Sequence, residues 1–207
     1  MSFYSIFLKN RKNERLLRLL IKKSKENSYL EGEFYGSNAL GRYYRDLSLF
    51  DKSIYEYKNA LLVSRKKKDT ISEIKTLNAI GSVYRRQDDI RNALNYHQEA
   101  LDKATTIKNP KTTTKKSISI AQNSIGNIYL SLKQYELALK EFKKAMVFQK
   151  QLNHTRGIAI NYKCFGDAYE GLGDLDEALK NFHKSLNYNT QINSTIGKVI
   201  CGYNIAN

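Results

Sequence analysis

Gly41, Gly81, Gly126 and Gly166 are each followed three residues later by a tyrosine: Tyr44, Tyr84, Tyr129 and Tyr169. Twelve residues after each glycine stands a small residue, Ser53, Ala93, Ala138 or Ala178. Another stands nineteen residues after: Ala60, Ala100, Ala145 or Ser185. The glycines are 40, 45 and 40 residues apart, and a further step of 40 reaches Ala206. A fixed pattern at this period marks an array of repeats, and each unit of an array packs mainly on its neighbours.

The residues of one unit give its shape. Ile158, Ala159, Tyr162, Phe165, Gly166 and Tyr169 recur at three- and four-residue steps and define one face of a helix. The run GLGD, Gly171 to Asp174, interrupts it. Asp174 with Glu177 is a start signal for a second helix, whose apolar stripe is Leu175, Ala178, Leu179, Phe182 and Leu186. Thr70 with Glu73, and Ser28 with Glu31, give the same signal earlier. The unit reads as two antiparallel helices and a tight turn. A glycine inside a helix costs about 1 kcal/mol relative to alanine, so its recurrence predicts a close backbone approach where the second helix crosses. One hairpin cannot bury its apolar faces alone, so hairpins must stack.

These residues resemble the tetratricopeptide repeat. Its pattern is met by Gly166, Tyr169, Gly173, Leu175, Ala178, Phe182 and Ser185, and again by Gly126, Tyr129, Tyr135, Ala138, Phe142 and Ala145. The repeat at Gly81 departs where His97 replaces the usual aromatic, and the repeat at Gly41 has Ser53 for alanine. The period of 40 is similar to the long-helix variant of peptide-pheromone receptors, spindle-orientation adaptors, kinesin light chains and bacterial sensor regions. The resemblance implies an all-α, right-handed α-solenoid of antiparallel hairpins. It also implies that first helices line a concave groove for an extended peptide or a partner helix.

Along the chain, residues 28–69, 70–111 (with an insertion to about 115), 112–153 and 154–193 read as four repeats. Residues 1–27 read as a degenerate capping helix with the stripe Leu16, Leu17, Leu20 and Ile21. Pro110 is expected to end a helix, and Thr112 to Thr114 to form a loop or a helix entry. Residues 194–207 read as the first helix of a fifth, truncated repeat, so a fragment of a longer protein is expected.

Composition narrows the function. No apolar run approaches the roughly 18 residues of a membrane helix, and MSFYSIFLKN has the wrong charge order for a signal peptide. Cys164 and Cys201 lack any metal or CxxC spacing and occupy small-residue slots, so buried thiols in the cytoplasm are expected. His97 falls at a core position, His154 in a loop and His183 beside Phe182; they share no motif. No phosphate-loop, dinucleotide or zinc-helix signature occurs, so the reading is non-catalytic, with no cofactor and no metal.

The formal charge of +15 admits acidic partners, and so do the first helices. Three residues before each glycine stand Asn38, Asn78, Asn123 and Lys163. Four residues on are Arg42, Ser82, Asn127 and Asp167, and three further are Arg45, Arg85, Leu130 and Glu170. This spacing puts each trio on one stripe of its helix. An amide donates and accepts at once, so a ladder of amides can hold a peptide backbone, and the arginines favour acidic groups. The partner-binding candidates are Asn38, Arg42, Arg45, Asn78, Arg85, Asn123, Asn127, Lys163 and Asp167. The alternative is a nucleic-acid edge made of the lysine runs around Lys23, Lys67, Lys115 and Lys144. It is weakened because the tyrosines fall at packing positions instead of forming a base-stacking platform. A second alternative is a peptide-pheromone receptor.

Overall fold

A computed structural model describes residues 13–206. Ten α-helices lie among these residues: α1 Glu14–Glu26, α2 Leu30–Asp46, α3 Phe50–Lys66, α4 Thr70–Arg86, α5 Ile90–Thr105, α6 Thr112–Ser131, α7 Tyr135–Gln151, α8 Thr155–Leu172, α9 Leu175–Gln191 and α10 Thr195–Ala206. Within the stretch read as a cap, Glu14–Glu26 is helical as α1, while residues 1–12 lie outside the described residues. The chain divides into two compact units, 1–103 and 104–207. In the first, α1 packs on α2, α2 on α3 and α3 on α4, and α4 meets α5 through the stacked rings of Tyr84 and Tyr96, 5.4 Å apart. In the second, α6 to α10 pack each on the next, and α6 also touches α8.

The turns are as regular as the helices. Ser28, Ser48, Lys68 and Asp88 have left-handed backbone and lie twenty residues apart. Lys133, Asn153, Gly173 and Asn193 repeat the same spacing. At Ser48 the closure is typical: the Leu49 N–H donates to the Tyr44 carbonyl at 2.9 Å, and Leu49 then becomes the N-cap residue of α3. One short turn thus ends one helix and starts the next. The five additional residues between Gly81 and Gly126 lie in the longer connection 106–111 and in the twenty-residue α6. Thr112 to Thr114 form its first turn, and α5 has already ended at Thr105, short of Pro110.

This turn geometry corrects two expected helix starts. Ser28 is not a cap, because it supplies the left-handed turn residue; Tyr29 follows as N-cap with no side-chain bond. Glu31 instead pairs with Lys67. At α4 the cap is Asp69, whose carboxylate accepts from the Ser72 N–H at 3.0 Å, and Thr70 is already helical. The Asp174 cap of α9 matches expectation, accepting from the Glu177 N–H at 3.2 Å.

Only Gly173 among these turn residues is a glycine, and only a glycine adopts this conformation without strain. Lys133→Gly should therefore raise the unfolding free energy by about 1 kcal/mol, whereas Gly173→Ala should lower it by a similar amount. Urea titrations of the two variants check this pair. Equal midpoints for both would contradict the assignment of turn strain.

The glycine pattern has a specific cause. A Cβ built on Gly41, Gly81, Gly126 or Gly166 would come within 3.0 Å of the ring of Tyr57, His97, Phe142 or Phe182, respectively. Each ring stands sixteen residues after its glycine and lies flat on it. The slot admits a side-chain ring, whereas the sequence suggested only close backbones. The backbones are nonetheless near. The Ser53 Oγ donates to the Gly41 carbonyl at 2.7 Å, and the Ser185 Oγ to the Ala159 carbonyl at 2.8 Å. Ala178 and Phe182 are buried as the stripe predicts, but Leu175 is 61% exposed.

Candidate functional site

The candidate stripe lies on the first helices, α2 and α4 in one unit and α6, α8 and α10 in the other. α2, α4, α6 and α8 are each fixed by a ring resting on the helix glycine, whereas α10 has Ala206 at that position.

In the first unit the stripe is cationic. Arg42 and Arg85 are exposed, and Asn38 is half-buried. Arg45 pairs with the adjacent Asp46 at 2.7 Å. Burial pushes the Tyr57 hydroxyl above its ordinary pKa, while Arg45 and Arg42 beside it pull the other way. Asn78 departs from the expected ladder. It is buried, and its Oδ1 lies 2.9 Å from Nδ1 of His97. The reason is the ring exchange in this repeat: an imidazole in the glycine slot needs a polar partner that Phe142 and Phe182 do not need.

In the second unit the amides bond to one another. The Asn123 amide donates to Asn161 Oδ1 at 2.7 Å, and the Asn127 amide donates to the Asn123 carbonyl at 2.9 Å. The Cys164 thiol lies 3.8 Å from Asn123 Oδ1 and 3.7 Å from Asn127 Oδ1. Lys163 donates to Asp167 at 2.6 Å, and Asn204 of α10 reaches the same carboxylate at 3.4 Å. Burial raises the Asp167 pKa, and Lys163 opposes the rise. The structure thus places Lys163, Asp167 and Asn204 in one bonded cluster, and Asn123, Asn127, Asn161 and Cys164 in another. Within the latter, Asn161 Nδ2 has no hydrogen-bond partner among the described residues.

Two features of this face were missed in the sequence. Asn161 and Asn204 each belong to one of these clusters but stand off the register of the asparagine ladder. A row of isoleucines also flanks it. Ile120, Ile160 and Ile200 lie three residues before Asn123, Lys163 and Tyr203, and all three are at least 40% exposed. The signal was an aliphatic residue six positions before each small residue, hidden among the apolar positions of the same helices.

Part of the lysine edge is engaged with acids. Arg65 bonds to Glu73 at 2.8 Å and to Glu99 at 2.7 Å, and Lys103 reaches Glu73 at 3.3 Å. Lys67 pairs with Glu31, Lys23 with Glu26 and Lys144 with Glu141. Both cysteines are buried free thiols. Among the described residues no cluster of His, Cys, Asp and Glu could hold a metal ion, and no helix is long and apolar enough to cross a membrane.

Comparison places this geometry in a family. The family model described as Tetratricopeptide repeat matches residues 35–106 and 117–191. No curated protein sequence matches. Among solved structures, aspartyl phosphate phosphatase F from Bacillus subtilis superposes with a TM-score of 0.77 at 16% identity, over 97% of this chain and 52% of its own. A Rap protein complexed with Competence and Sporulation Factor gives 0.72 at 21%, over 92% and 54%. BtubC (BKLC) from P. vanneervenii gives 0.74 at 17%, over 89% and 74%. The chain therefore spans about half the length of the phosphatase and Rap structures, and these likenesses show an all-α helical-repeat solenoid fold. Because the two matched stretches together cover more than half of the sequence, the chain belongs to the tetratricopeptide repeat family.

Proposed function

We propose that the chain is a non-catalytic binding module that holds an extended peptide or a partner protein along its first helices. The observation that carries this reading is the register of the stripe, in which exposed Arg42 and Arg85 occur on the first helices of one unit. Among the described residues neither guanidinium is consumed by a carboxylate in the way Arg65 and Arg45 are. They suit acidic side chains or a terminal carboxylate. Asn38 beside them offers a donor and an acceptor to a peptide backbone. The similarity to a Rap protein complexed with Competence and Sporulation Factor supports a partner of this kind. We further place the module as the sensory or adaptor part of a longer cytoplasmic signalling protein. A nucleic-acid role is disfavoured by the engagement of part of the lysine edge with Glu31, Glu73 and Glu99.

The test is a set of short synthetic peptides, acidic and neutral, titrated by fluorescence anisotropy. Acidic peptides should bind, and Arg42→Glu with Arg85→Glu should weaken them at least about tenfold. Lys66→Glu with Lys68→Glu should leave binding unchanged. Equal weakening by both pairs would reject a defined site in favour of diffuse electrostatic attraction, and the absence of any binding peptide would reject the module.

A further inference from the structure

α10 carries a face that its four counterparts do not expose. Val199 stands seven residues before Ala206, as Phe34, Ile74, Ser119 and Ala159 stand before Gly41, Gly81, Gly126 and Gly166. All four equivalents are buried, whereas Val199 is 67% exposed. Tyr203, at the position of Asn38, Asn78, Asn123 and Lys163, is also open to solvent. Gly202 has nothing within 4 Å of a built Cβ.

The occupant of the equivalent face is known from the hairpins themselves. At this register Ser119 donates to the Ala145 carbonyl of α7, and the Ala159 carbonyl accepts from Ser185 of α9. In each case the second helix of the hairpin presents a small residue there, and seven and three residues earlier come a small residue and a ring. On its opposite side α10 is already seated: Asn189 of α9 lies against Gly197, and the Cys201 thiol is 3.1 Å from the Ser185 hydroxyl. The open face is thus the hairpin face, and among the described residues no helix covers it.

We infer that the Val199, Gly202 and Tyr203 face of α10 binds an amphipathic helix of the second-helix type, with small residues seven apart and an aromatic ring between them. Continuity with the hairpin interfaces specifies this partner. Its small residues allow close approach to a face made of Val199, Gly202 and Ala206, and its ring packs beside Ala206, whose methyl holds it farther from the backbone than Gly166 holds Phe182. The site is separate from the cationic stripe of α2 and α4, so either proposal can fail without the other.

The probe is a synthetic peptide with the sequence of α9, Leu175–Gln191, which carries Ala178, Phe182 and Ser185 in the required register. It is titrated into the full chain and followed by amide chemical shifts. The expected result is saturable shifts at Val199, Gly202 and Tyr203. Val199→Asp, at an exposed position that leaves the fold intact, should weaken binding at least about tenfold. A peptide with Ala178→Leu should bind at least about tenfold more weakly than the parent peptide, because a bulky residue blocks the approach. Three outcomes overturn the proposal: no shifts at these residues, equal binding of the Ala178→Leu peptide, or a concentration-dependent dimer in sedimentation that Val199→Asp abolishes. The last would assign the face to a second copy of this chain.

Discussion

Gly166→Leu should destabilise the chain by about 3 kcal/mol, at the upper end of what overpacking a core costs. A Cβ alone would stand 2.3 Å from Cε1 of Phe182, and the leucine adds three more carbons to a slot already filled by that ring. Intrinsic propensity works in the opposite direction, since a mid-helix glycine gains about 1 kcal/mol on replacement by a better helix former. The steric term therefore has to exceed that gain, and at an atom separation this short it does. Phe182→Ala alone should cost about 3–5 kcal/mol through the cavity it leaves. The double variant should be less damaged than the sum, with a coupling of about 1–3 kcal/mol, because the leucine occupies space that the ring has vacated. Gly202→Ala is the internal control. With nothing near its Cβ it should stabilise α10 by up to about 1 kcal/mol. Urea unfolding of the four variants reads all of these values. If Gly166→Leu proved as harmless as Gly202→Ala, the ring-on-glycine packing would be wrong.

The same slot shows what was legible in the sequence. The repeats, their helical character and the pairing of helices follow from the spacing of Gly, Tyr and small residues, because these residues are there for packing and packing repeats. Apolar position alone misjudged Leu175, which is largely exposed, since helical period does not tell how wide the buried stripe is. The starts at Ser28 and Thr70 were misplaced because both turns need a left-handed residue. Serine, lysine, aspartate and asparagine all fill that place here, so Ser28 looks like a cap without being one.

The candidate face was less legible for a related reason. Asn38, Asn78 and Asn123 are alike in sequence, yet Asn78 turns inward to serve His97, and Asn123 is bonded to Asn161. Which way an amide faces is decided by what stands across from it. At Asn78 the deciding residue lies nineteen positions away, and at Asn123 it lies on another hairpin. Charge was more informative. Arg42 and Arg85 stay exposed as their chemistry requires, because a guanidinium is rarely buried unless it is paired.

Lowering the pH from 6.5 to 4 should remove about 3 kcal/mol of stability through His97 alone, at about 1.36 kcal/mol per pKa unit. Burial, with Arg85 adding to it, pushes the imidazole from its ordinary 6.5 down to about 4. His97 is fully buried, and its Nε2 has no hydrogen-bond partner among the described residues, so a second ring proton would have no acceptor there. The Nδ1 proton is directed to the Asn78 carbonyl oxygen, which fits the neutral tautomer. Between pH 6.5 and 4 the unfolded chain binds a proton that the folded chain refuses, so stability is complete above this window and declines as the pH falls through it. Glu73 behaves differently: Arg65 and Lys103 hold its pKa below the ordinary value despite partial burial, so its contribution is lost only below about 4.5. The two effects therefore separate along the pH axis. His97→Phe restores the ring type found at Phe142 and Phe182 and removes the titration, although it leaves the Asn78 oxygen without the imidazole. Its unfolding free energy should fall much less between pH 6.5 and 4.5, keeping only the smaller slope of groups such as His154, whose pKa burial also lowers. The parent chain loses most of the additional ~3 kcal/mol over the same range. Parallel pH profiles for the two proteins would mean that His97 takes up its proton in place, and that the slot over Gly81 is wetter than the packing around it implies.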